Sequence, residues 1–119
     1  MVTDRYHSIL QTLVSNTGAD GAILISPDGL AVSSTFREGY DEDRVAAMGA
    51  AILSLGEKVN SELQKGELEQ LYVKGSSGYI LFTGIGDFAV LGITTSGSVK
   101  LGLILMEVKR AVEKFKEVM

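Results

Sequence analysis

The chain has 119 residues, of which 45% are hydrophobic and 22% charged, so residues 1–119 read as one globular domain with no room for a second. It has no cysteine, which excludes disulfides, thiolate catalysis and cysteine-bound metal. A net charge of −4 with scattered basic residues argues against binding nucleic acid, and no apolar run approaches the roughly 18 residues of a membrane span.

In chain order, residues 4–16 predict a helix, because Tyr6, Ile9, Leu10 and Leu13 recur on one helical face. Gly18 stops it by taking a left-handed conformation. Residues 21–35 predict a hairpin: the run Ala22-Ile23-Leu24-Ile25, the turn Ser26-Pro27-Asp28-Gly29, then a second strand from Leu30. After a polar loop over 36–41, Asp41 caps a long helix, with Glu42 and Asp43 at its positive end. This helix runs to about Gln64 and stops at Lys65-Gly66, roughly 34 Å along. Three strands follow, near 67–74, 78–84 and 87–94, joined by turns too short for a parallel crossover and therefore antiparallel. Thr95-Ser96-Gly97-Ser98 introduces a last helix with the apolar stripe Leu101, Ile104, Leu105, Val108, Ala111, Val112, Phe115 and Met119. The order is α-β-β-α-β-β-β-α.

The segments Tyr79-Ile80-Leu81-Phe82 and Phe88-Ala89-Val90-Leu91 are continuously apolar. Such strands are buried on both faces, so helices cover both sides of the sheet. The central helix takes one side and the two terminal helices share the other. The more polar segment 68–74 suits an edge strand.

The central helix is apolar all round from Val45 to Leu53. Met48, Ile52, Leu55, Val59 and Leu63 share one face, assigned to the chain's own sheet. Ala46, Gly49, Ala50 and Leu53 point elsewhere and are assigned to a second copy of the protein. Val45, Gly49, Ile52, Gly56, Val59 and Leu63 also follow a heptad seam, on which glycine permits close approach of a partner or, alternatively, of the chain's own sheet.

Chemistry is sparse. His7 is the single histidine, too little for a zinc site or a catalytic triad. Gly84-Ile85-Gly86 lacks the third glycine of a dinucleotide fingerprint and precedes a strand. No phosphate loop and no serine nucleophile elbow is present. Carboxylates such as Glu42, Asp43, Glu67 and Glu69 sit at a helix start and an edge strand, where they cap and repel. The reading is no enzyme, no cofactor and no metal. With no secretory leader in its polar start, the chain is expected in the cytoplasm.

The segments Gly18-Ala19-Asp20-Gly21-Ala22, Pro27-Asp28-Gly29-Leu30 and Ser33-Ser34, followed by the acid-capped Ala-rich helix, resemble the roadblock/dynein-light-chain family. So do Leu71-Tyr72-Val73, Gly78-Tyr79 and Asp87-Phe88-Ala89-Val90-Leu91-Gly92-Ile93. The full last helix makes the chain more similar to the MglB-type bacterial and archaeal members. The resemblance implies an α+β sandwich with a five-stranded antiparallel sheet of order 2-1-5-4-3. It implies homodimers in which the third strands pair edge to edge and the central helices meet. It further implies a non-catalytic platform or regulator for a small Ras-like GTPase. The alternatives are a structural subunit of a motor or scaffold and a small-ligand sensor. Combined with the helix reading, the expected dimer interface is Val45, Ala46, Gly49, Ala50, Leu53 and Gly56 on the helix, with Glu69, Leu71 and Val73 on the edge strand.

Overall fold

A computed structural model describes residues 2–37, 39–97 and 99–119. Met1, Glu38 in the loop after the first hairpin, and Ser98 in the segment expected to introduce the last helix lie outside the described residues. The elements are α1 (Val2–Thr17), β1 (Gly21–Ile25), β2 (Ala31–Phe36), α2 (Glu42–Glu62), β3 (Leu71–Gly75), β4 (Gly78–Ile85), β5 (Ala89–Ser96) and α3 (Leu101–Val118). They form one antiparallel five-stranded sheet of order β2-β1-β5-β4-β3. Order, layers and strand sense are those the sequence predicts.

Local chemistry sets the boundaries. Gly18 adopts φ +74° and its N–H bonds the Val14 carbonyl at 2.9 Å, which ends α1. In the first hairpin Gly29 takes φ +86°, and Ser26 Oγ accepts the Leu30 N–H at 3.1 Å. Asp41 caps α2 by accepting the Arg44 N–H at 3.2 Å. Gln64 at φ 56° and Gly66 at φ 85° turn the chain out of that helix.

Three boundaries shift. β3 begins at Leu71 and not near 67, because its pairing with β4 starts at Leu71↔Phe82. Thr95 and Ser96 belong to β5, and α3 starts at Leu101 with Lys100 as its N-cap residue. Phe88, expected inside a buried strand, lies in the β4–β5 turn with its N–H on the Ile85 carbonyl at 3.1 Å, and it is exposed.

The sheet carries a core on each side. Toward α1 and α3, Leu24, Leu81, Leu91 and Ile93 pack with Leu10, Leu13, Ile104, Val108 and Phe115. Toward α2, Ile23, Ile25, Phe82 and Val90 pack with Ala46 and Leu53. β1 is buried at every position, as a strand covered on both faces must be.

The α2 side overturns the expected facing of that helix. Its buried residues are Ala46, Gly49 and Leu53. Of those chosen to hold it down, Ile52 is half-buried and packs against this core, whereas Met48, Leu55, Val59 and Leu63 are 58%, 61%, 47% and 62% exposed. The cause is size matching. Where the sheet presents Phe82 and Ile25, the helix can present only a glycine, and Leu53 one turn on fills the remaining space. A Cβ on Gly49 would lie 2.7 Å from Phe82 Cε1 and 2.9 Å from Ile25 Cδ1. Gly49 therefore admits the chain's own sheet, not a partner. Replacing Gly49 with Leu should overpack this contact and cost about 2 kcal/mol. That corresponds to a fall in Tm of roughly 8 °C, measured by thermal unfolding. An unchanged Tm would overturn the size-matching account.

Candidate functional site: an apolar helix face beside an open sheet edge

The expected interface residues divide into two groups. Ala46, Gly49 and Leu53 are buried in the chain's own core, and Val45 and Ala50 pack against it. Ala46, Gly49 and Leu53 offer no free apolar surface, so their assignment to a second copy is corrected; Val45 and Ala50 are half-buried, and Val45 lines a groove with Met48 and Val73. Gly56 also faces its own chain: a Cβ there would meet Leu68 Cδ2 at 3.3 Å and Leu71 Cδ1 at 3.6 Å. Glu69 and Val73 stand exposed at the β3 edge, with Leu71 half-buried beside them.

The stripe assigned to the core is instead the free surface. Met48, Leu55, Val59 and Leu63 line one side of α2, and covering them would contribute roughly 1 kcal/mol apiece. Two depressions join this stripe to β3. A groove of about 410 Å³ runs from Phe36, Tyr40 and Met48 to Val73 and Ile80. A larger cleft of about 940 Å³ lies between Leu55, Gly56 and Val59 on α2 and the segment 65–71. Tyr40 packs edge-on against Phe36 with ring centroids 5.2 Å apart, which forms one wall of the groove. Among the described residues, the outer edge of β3 pairs with no strand. An apolar helix face and an unpaired edge thus form one connected surface. Large apolar residues in a stripe, where small ones would complete the core, were the signal available for it.

The polar groups elsewhere serve the fold. Glu107, nearly buried between α1 and α3, accepts from Asn16 Nδ2 at 3.3 Å and pairs with Arg110 Nη1 at 3.4 Å. Thr17 Oγ1 donates to the Leu13 carbonyl at 2.7 Å and receives the Ala19 N–H at 3.2 Å, closing the end of α1. Among the described residues no group of His, Asp or Glu side chains has a metal-binding arrangement, and no helix is long and apolar enough to cross a membrane.

Comparison with known proteins agrees with this architecture. Residues 6–95 match the family model described as Roadblock/LC7 domain. Protein MJ1340 of Methanocaldococcus jannaschii, itself uncharacterised, is 33% identical over 108 residues, covering 91% of this chain and 94% of that protein. The structure of Myxococcus xanthus MglB superimposes with a TM-score of 0.89 at 17% identity, covering 98% of this chain and 92% of the other. A second structure, described as MglB with a tetrameric arrangement, superimposes with a TM-score of 0.91 at 19% identity, covering 98% and 89%. At these identities the two structures establish a shared fold.

Because Gly56 faces Leu68 and Leu71 with nearly enough space for a methyl group, Gly56→Ala should remove a helix-interior glycine at small steric cost. The expected gain is about 0.5 kcal/mol in denaturant unfolding. A loss of stability would mean that the cleft beside Leu68 is tighter than described.

Proposed function

The chain belongs to the Roadblock/LC7 domain family, and on that premise we propose that it is a non-catalytic, homodimeric interaction module that binds and regulates a small Ras-like GTPase in the cytoplasm. The observation that carries the proposal is the stripe Met48, Leu55, Val59 and Leu63 beside the open edge of β3. A stripe of this kind on a small domain marks a surface that another protein covers. A second copy offers the same helix face and the same edge, so a two-fold contact satisfies both at once: strand pairs with strand and helix meets helix. Val73, Leu71 and Glu69 then belong to the interface, joined by the outer stripe of α2 in place of its inner one.

The GTPase partner follows from the resemblance to MglB-type members, and the MglB fold match is consistent with it. The tetrameric arrangement described for one MglB structure favours, as a second reading, a subunit of a larger assembly. The two readings share the dimer and differ in whether nucleotide turnover changes on binding.

The double variant Leu55→Glu, Val59→Glu places two charges in the stripe. Light scattering after size-exclusion chromatography should show a dimer for the parent and a monomer for the variant at micromolar concentration. The dissociation constant should rise at least 100-fold, or about 2.7 kcal/mol. A monomeric parent overturns the dimer. Mixing the parent with a Ras-like GTPase from the same organism should change its rate of GTP hydrolysis. Binding without that change selects the scaffold reading, and no binding removes the GTPase proposal.

A further inference from the structure

The opposite side of β3 carries a second surface, which the α2 stripe does not reach. α1 and α3 cover the sheet over β2, β1, β5 and β4, and their layer stops short of β3. Alternate β3 residues point to this side, so Tyr72 and Lys74 lie beside α3 with no helix above them. The result is a trough of about 430 Å³ lined by Tyr72, Lys74, Tyr79, Val99 and Leu101. Tyr72 is 41% exposed and Leu101 42%. The Tyr79 hydroxyl is buried without a hydrogen-bond partner among the described residues, although a phenol readily donates to an acceptor.

Charge separates this trough from the rest of an acidic protein. Lys74 is its one charged lining residue among the described residues. Lys100 stands at the adjoining N-terminus of α3, which has no side-chain cap. Leu105, Lys109, Val112 and Lys116 continue the flank of α3 that begins with Leu101, at three- and four-residue steps. The flank therefore carries Lys109 and Lys116 among aliphatic residues, of which Leu105 and Val112 pack partly against the core. The Asp20 carboxylate is engaged by the Ser96 hydroxyl at the end of β5. Glu67 and Glu69 line the cleft on the α2 side, across the sheet.

We propose that the trough between β3 and α3 is a docking site for an acidic, amphipathic segment of a partner protein. Its apolar side chains would lie against Tyr72, Val99 and Leu101. Its carboxylates would meet Lys74, Lys100 and Lys109 and the free N–H groups that begin α3. The site shares no residue with the α2 stripe and does not require the dimer.

The test uses the full chain and a fluorescently labelled synthetic peptide with leucine and glutamate at i, i+4 spacing. Anisotropy should show saturable, salt-sensitive binding at micromolar concentration. Lys74→Glu with Lys100→Glu should weaken it at least tenfold, and Leu101→Asp should do the same. Far-ultraviolet circular dichroism confirms that each variant folds. The Leu55→Glu, Val59→Glu variant should bind the peptide as the parent does, so a failure of the dimer or GTPase proposal leaves this one standing. Four results overturn it: no binding, binding unaffected by the lysine changes, equal binding of a peptide with lysine in place of glutamate, or phosphatidylglycerol vesicles captured through Lys74 and Lys100 when the peptide is not.

Discussion

The contact between Gly49 and the pair Phe82 and Ile25 decides how the rest of the molecule is disposed. These sheet side chains are large, and they fill the space under α2 to within less than a methyl group of its backbone. Only a helix face of Ala46, Gly49 and Leu53 can approach so closely. Once that face is turned in, the helix has no rotation left that hides Met48, Leu55, Val59 and Leu63. The core is completed at the expense of an apolar stripe in water, and that stripe gives the domain a reason to associate. The cost of two glycines within α2 is offset by the close packing that they permit on the sheet and on Leu68 and Leu71.

The sheet's two edges differ for a related reason. β2 lies close to both α1 and α2, and its neighbouring hairpin turn rests near Ala50. β3 is short, and only Leu71 at its start is drawn partly under α2. It is therefore accessible in three directions: along its edge, on its α2 side and on its α3 side. The two sides are chemically unlike. Glu67 and Glu69 mark the α2 side, while Lys74 and the basic flank of α3 mark the other.

The buried polar groups have local structural tasks. Glu107 joins α1 to α3 through Asn16, and Thr95 Oγ1 reaches the Tyr79 carbonyl at 3.5 Å. His7, the single histidine of the sequence, lies on α1. The features that remain to be explained are surfaces, and they fit a protein that works by being bound.

Much of the architecture was legible because it is written locally. Gly18, the Ser26–Gly29 turn and Asp41 announce their element ends through backbone conformation and capping, which depend on a few adjacent residues. Continuous apolar strands likewise announce burial on both faces. Phe88 misled, because an apolar residue beside a strand reads as part of it until the turn hydrogen bond to Ile85 is seen. The facing of α2 was not legible. Periodicity distinguishes its two apolar faces but says nothing about which one the sheet can accommodate. That choice depends on the volumes of Phe82 and Ile25, which arrive from distant parts of the chain. The sequence by itself thus determined the elements and their order. Only the tertiary structure decided which side of α2 is free, because steric fit between remote side chains is a property of the packed state.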